Sequence, residues 1–209
     1  MFDGFDGKRV ATMTDQERRW FDNVKKAFYE SDHALKSGTP EDRCIEELFK
    51  AVDTAKTLRR SLRGDDTSHR DNKKRFIEFL GLEIPMARPG GSEFELRETE
   101  SGQLRKFTFG EIVYAIRCKI HENENLNVAE GVDYHVLLDW SIPQPAVFAH
   151  VLDGQFVCNG YFLWNRLREV LSKFITCLDA MIAIANDAST FSITIRPEIG
   201  SVIPDKKRR

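Results

Sequence analysis

The sequence predicts a mainly α fold, an antiparallel helical bundle with short β-hairpin insertions, and three observations carry that reading. Two capping boxes, Thr14-Asp-Gln-Glu17 and Thr108-Phe-Gly-Glu111, each open an apolar run at helical spacing. A long stretch over residues 161–185 places Leu163, Leu167, Val170, Leu171, Phe174, Leu178 and Ile182 on one side of a helix. The remaining apolar segments are short, alternate with polar residues, and are bounded by Gly, Pro and Asp-Gly turn signals.

Residues 1–13 read as a flexible N-terminal segment, and residues 14–197 as a single domain. After the Thr14 cap, Trp20, Val24, Phe28 and Leu35 keep helical spacing until Ser37-Gly38. Thr39 and Pro40 then offer an N-cap and a first helical position. Ile45, Leu48, Val52, Ala55 and Leu62 form the next apolar stripe, which ends before Gly64. So short a connection makes the two helices an antiparallel pair. Asp65-Asp66-Thr67-Ser68 is expected to open a third helix with Phe76, Phe79 and Leu80 inward, stopped by Gly81. The loop after it, with Pro85, Pro89, Gly90 and Gly91, is a natural proteolysis site.

A first β insertion is expected near residues 93–107, where Phe94 and Leu96 alternate with charges and Leu104 to Phe107 return as a second strand. The second capping box starts a helix with Ile112, Val113, Ile116 and Ile120 inward, ending in the polar run His121 to Asn125. A second insertion near residues 134–158 combines a strand over Tyr134 to Trp140 with a hairpin, Phe148 to Cys158, turning at Asp153-Gly154. The long closing helix follows. Phe191, Ile193 and Ile195 have the alternation of an edge strand, and residues 198–209 read as a flexible basic tail.

The composition excludes several classes. Lys and Arg number 31 against 33 Asp and Glu, a net charge of −2, so any anion-binding surface must be local rather than a global basic field. With 41% hydrophobic residues and 15 Phe, the 209-residue chain can bury a real core, and a mean hydropathy of −0.42 argues against a membrane protein. The start, Met1-Phe-Asp-Gly-Phe-Asp-Gly-Lys8, lacks the basic and apolar regions of an export signal, so a cytoplasmic location with reduced thiols is expected. Cys44, Cys118, Cys158 and Cys177 lie far apart, and His33, His69, His135 and His150 have no partner spacing, so no metal and no cofactor are expected. Walker loops, GxSxG elbows and paired catalytic carboxylates are missing. Asp65 with Asp66 and Glu46 with Glu47 read as helix-start and solvated pairs. The runs Leu58-Arg-Arg-Ser-Leu-Arg63 and Lys73-Lys-Arg75 form a basic patch able to track an RNA backbone, or simply a hydrated flank.

The segment richest in chemistry is Glu111 to Asn125. Arg117 and His121 are four residues apart, hence stacked on one helical face with Tyr114. A permanent cation beside an imidazole can cleave a phosphodiester without metal. The imidazole takes the proton of a 2′-hydroxyl while the guanidinium holds the phosphate. The same pair also suits a helix C-terminus, where both side chains bond the last carbonyls.

The pattern Tyr114-x-x-Arg117-Cys118-x-x-His121-Glu122-Asn123, with the helices before it and the strand-rich insert and closing helix after it, resembles the HEPN domains, helical bundles of toxin, defence and RNA-processing systems. In that family an Arg and a His, usually separated by four to six residues, form an RNase site shared across a two-fold axis. The resemblance implies a cytoplasmic homodimer, with a strip of Phe residues to supply the contact. It implies a metal-independent endoribonuclease with Arg117 on the phosphate, His121 as acid or base, and Tyr114 and Asn123 holding RNA. It also implies possible partners: RNA or a nucleotide, an antitoxin or another protein, and no membrane. Here three residues separate Arg117 from His121, and Cys118 stands where Asn or Asp is common. Many HEPN proteins bind or dimerise without cleaving. In such a protein Arg117 would bond its own chain's carbonyls or carboxylates, or bind an anion.

Overall fold

The computed structural model describes residues 6–39, 41–68, 70–88, 93–97, 104–122, 127–129, 132–133, 136–141, 149–152 and 155–190. Among them the fold is mainly helical with small sheets, as the capping boxes and apolar periodicity require. Helix α1 is Gly7–Ala11, α2 Asp15–Lys36, α3 Glu41–Leu62 and α4 Asn72–Gly81. Strands β1 (Glu93–Arg97) and β2 (Leu104–Thr108) precede α5 (Phe109–Glu122). Then come β3 (Asn127–Ala129), β4 (Val132–Asp133), β5 (Val136–Asp139), β6 (Ala149–Leu152), β7 (Gln155–Asn159) and α6 (Gly160–Thr190).

Helices α2 and α3 run antiparallel along their whole length. Near the connecting turn the Ser31 hydroxyl donates to the Cys44 carbonyl at 2.8 Å, and at the far end the Ser61 hydroxyl donates to Glu17 at 2.6 Å. Both helices end where a glycine takes the left-handed backbone, Gly38 at φ 76° and Gly64 at φ 74°. The Thr14 capping box is complete: the Thr14 hydroxyl accepts from the Glu17 amide while the Glu17 carboxylate accepts from the Thr14 amide at 2.8 Å. The second box has the same form at Thr108 and Glu111.

The inward stripes meet in one core. Ile45, Leu48, Phe49 and Val52 of α3 are fully buried together with Ile112 and Val113 of α5 and Leu163, Leu167 and Phe174 of α6. Each such side chain contributes on the order of 1.5–3 kcal/mol. Helix α6 packs on α3, α1 and α2, while α5 lies against α3 and α4.

Several details differ from the sequence expectations. Within the segment read as flexible, residues 7–11 form a helix capped by Asp6, and Val10 and Met13 are buried. Five residues are too few for periodicity to reveal. Helix α4 starts at Asn72, not at Asp65 to Ser68. There Asp66 instead accepts from the Ser68 amide at 2.8 Å, a local turn competing with helix, and Asp71 takes the left-handed backbone at φ 56°. Phe76, Phe79 and Leu80 are inward as expected. The loop containing Pro85 begins as a short 3₁₀ turn, Pro85–Ala87, with Ala87 buried. Phe21, Phe28, Phe49, Phe76, Phe79, Phe109, Phe162 and Phe174 are spent on the core, so they cannot form a strip between protomers.

The first hairpin forms where expected, and its register places Phe94 opposite Phe107. In the second insertion β6 and β7 pair antiparallel, and β5 joins β7 in parallel to give the order β5-β7-β6. Helix α6 grows straight out of β7. The Asn159 side chain accepts from the Phe162 amide at 3.0 Å, and a Cβ on Gly160 would meet the Trp140 ring at 2.5 Å. The edge strand read over Phe191 to Ile195 and the basic tail lie outside the described residues.

Candidate functional site: a cationic pocket between three helices

Helix α5 carries the motif residues because its apolar positions, Ile112, Val113 and Ile116, turn inward and leave Tyr114 and Arg117 on the flank facing α3 and α4. The backbone of His121 lies in the last turn of α5. The His121 side chain and Asn123 lie outside the described residues.

Arg117 finds its partner far away in the chain. Its Nε donates to Oδ2 of Asp53 on α3 at 3.0 Å, and the other carboxylate oxygen accepts from Lys56 Nζ at 2.8 Å. Asp53 is therefore shared by two cations in a largely buried setting, with side-chain exposures of 14% for Arg117 and 8% for Lys56. Lys56 also donates to the Asn72 side-chain oxygen at the start of α4. The guanidinium of Arg117 lies 5.8 Å from the centre of the Tyr114 ring, which meets Phe76 edge-on at 5.5 Å.

Tyr114 stands beside Asn72 and Cys118. Burial pushes its hydroxyl up, and the Cys118 thiol beside it adds to the rise. Arg117 and Asn72 pull the other way, leaving a pKa of about 12. At neutral pH Tyr114 is thus a neutral hydrogen-bonding group and not a base. Cys118, in the position after Arg117, touches an Arg117 terminal nitrogen through its sulfur at 3.7 Å.

Asp53, Lys56, Asn72 and Arg117 form one wall of a cavity of about 150 Å³ between α3, α4 and α5. The other wall holds Arg60 of α3 and Arg75 of α4. Arg60 Nε donates to the Asp66 carbonyl at 2.7 Å, and Arg75 donates to the Ser68 carbonyl. Arg75 also stands 3.6 Å from the Asp66 carboxylate. Hydrogen bonds from Ser68, helped by Arg75, keep the Asp66 carboxyl below the usual carboxylate range. Among the described residues, four cations thus line a space to which one carboxylate, Asp53, contributes. The arrangement suits an anion.

The structure brings two of the sequence candidates, Tyr114 and Arg117, into one site, and it ties Arg117 to its own chain. The basic runs divide: Arg60 and Arg75 enter the pocket, whereas Lys73 reaches outward to Glu111 at 3.7 Å. Sequence reasoning missed Asp53, Lys56 and Asn72. A signal for the first two exists in Asp53, Lys56, Thr57 and Arg60, whose spacing of i, i+3, i+4, i+7 marks a polar stripe along α3 beside its apolar one. Among the described residues no three His, Cys, Asp or Glu come together to hold a metal ion, and no helix is long and apolar enough to cross a membrane.

Comparison with protein-family models, curated proteins and solved structures returns no match to this chain. The functional reading therefore rests on geometry.

Proposed function

We propose that this chain is a HEPN-like helical protein that acts by binding, as a dimeric scaffold or anion-binding module, without cleaving RNA. One observation carries the reading: the Arg117 guanidinium is held by Asp53 of the same chain, and that carboxylate is shared with Lys56. A nuclease needs its arginine directed at the scissile phosphate and the charge that develops there. Here the Asp53 carboxylate already takes up the Nε side of that guanidinium. The ion pair also binds α5 to α3, which gives Arg117 structural work.

The test is incubation of a mixed RNA pool with the wild-type chain, Arg117→Ala and His121→Ala in the presence of EDTA, with light scattering to give the oligomeric state. The expected result is intact RNA for all three, a dimer for the wild type, and lowered stability for Arg117→Ala. Metal-independent cleavage by the wild type, lost in both folded variants, overturns the reading in favour of an endoribonuclease with Arg117 and His121 as the working pair.

A further inference from the structure

We propose that the pocket between α3, α4 and α5 is a site for a terminal phosphoryl group, a dianion held chiefly by Arg60 and Arg75, with the charges of Lys56 and Arg117, which share Asp53, beside them. This deepens the binding reading by naming the ligand of that pocket, and it depends on the pocket rather than on the HEPN resemblance.

Charge is the first argument. Among the described residues two carboxylates stand near four cations, and neither is fully available to them. Asp53 divides its two oxygens between Lys56 and Arg117, while both oxygens of Asp66 accept from Ser68, at 2.8 and 2.6 Å. Arg60 and Arg75 are oriented chiefly by carbonyl oxygens, which fix a guanidinium without cancelling its charge. The pocket is therefore locally positive in a chain whose net charge is −2.

Preorganisation is the second. Arg75 is only 11% exposed, and with Arg60 it is clamped to the turn over residues 66–68, so much of the ordering cost that binding imposes on long side chains is met before a ligand arrives. Planar guanidinium forks match phosphoryl oxygens, and a charged ligand gains most where the donors are already aimed.

Size and lining decide the kind of ligand. About 150 Å³ is well below the volume usual for a drug-sized ligand, and among the described residues none that lines the cavity is aromatic, so none of them stacks a base. A terminal phosphate can enter such a space from one side, whereas an internal phosphodiester must thread chain through it in two directions. The recognised chemistry is thus the terminal phosphoryl group, whether it caps a free nucleotide or the 5′ end of an RNA, and sequence plays no part in it.

The test is calorimetric titration of the full chain with sodium phosphate, ADP, and one oligoribonucleotide in 5′-phosphorylated and 5′-hydroxyl forms, at ionic strength fixed with sodium chloride. The variants are Arg60→Gln, Arg75→Gln and Asp53→Asn, with Lys26→Gln on the far surface as control. The expected result is saturable binding of phosphate and of the phosphorylated ligands, but not of the 5′-hydroxyl oligonucleotide. Binding should weaken about tenfold or more in each arginine variant, the order of one charge-assisted hydrogen bond, and stay unchanged in Lys26→Gln. Asp53→Asn removes the competing carboxylate, so phosphate should bind it more tightly and raise its melting temperature more than that of the wild type. A purely structural Asp53 gives a destabilised variant that phosphate does not rescue, which counts against the site. Preference for ADP or for the phosphorylated RNA end identifies the source of the phosphoryl group, and either supports the site. No binding beyond the chloride control, binding unaffected by both arginine variants, or equal binding of the 5′-hydroxyl oligonucleotide overturns it. RNA cleavage accompanied by phosphate binding at these residues supports the site and overturns only the non-catalytic reading above.

Discussion

Glu17 is the place where acid should first loosen this fold. It is 2% exposed, and its carboxylate joins three elements: it accepts from Arg9 of α1, from the Thr14 amide and hydroxyl at the start of α2, and from the Ser61 hydroxyl of α3 at 2.6 Å. Burial alone would raise its pKa. The hydrogen bonds from Ser61, Arg9 and Thr14 outweigh that and bring it from 4.5 down to about 2. A carboxylate whose pKa is lower in the folded state stabilises the fold above the unfolded value, and that stability drains away as pH falls toward the folded one. The interval between 4.5 and about 2 corresponds to about 3 kcal/mol, present at pH 7 and lost between roughly pH 5 and pH 2. Glu17→Gln imitates the protonated acid at every pH. Urea denaturation of wild type and variant across this range should show a gap of about 3 kcal/mol at neutral pH that closes on acidification. A gap that stays constant down to pH 2.5, or one already below about 1 kcal/mol at pH 7, refutes the assignment of the acid limb to Glu17.

Three further substitutions probe other parts of the molecule. Ser31→Ala strands the buried Trp164 indole N–H, which donates to Ser31 at 3.1 Å, and removes the hydroxyl bond to the Cys44 carbonyl that ties α2 to α3; urea titration should show a loss of about 1–3 kcal/mol. Gly110→Ala places a methyl 2.7 Å from the Ala87 carbonyl oxygen and 2.9 Å from Ile77, and because a backbone oxygen yields poorly, the melting curve should report a loss of about 1–3 kcal/mol despite alanine's better helix propensity. For Asp53 and Arg117 a double-mutant cycle to alanine should give a coupling energy of about 1 kcal/mol or more, beyond that of an exposed pair, and additive effects would show that the contact does not hold α5 to α3.

What the sequence disclosed of this fold was local. The capping boxes at Thr14 and Thr108 are written within four residues, and the stripes of α3 and α6 within a few turns, so each is visible without knowing any neighbour. The parallel pairing of β5 with β7 is a contact between separate segments and leaves no local trace. The site divides in the same way. Arg117 and Tyr114 stand out by their spacing on one helix, but the partner that sets the role of Arg117 is Asp53, 64 residues earlier. Read locally, Arg117 belongs with His121. In three dimensions the described partners of its guanidinium group come from α3 and its own helix. The basic runs near residues 58–63 and 73–75 were likewise visible as charge, yet only the crossing of α3 and α4 selects Arg60 and Arg75 from among them.

The junction of β2 with α5 is continuous: Thr108 ends the strand and Phe109 begins the helix. No slack residue separates the hairpin from the rod that carries Arg117. One inserted residue at this seam would turn the hairpin by about 100° around the helix axis and swing Phe107, buried at 5% exposure, away from its place in the core. Length variation in this chain is therefore expected to be excluded at the seam and confined to segments that can absorb a change of phase, which makes the spacing between the hairpin and Arg117 as much a part of the site as the residues that line it.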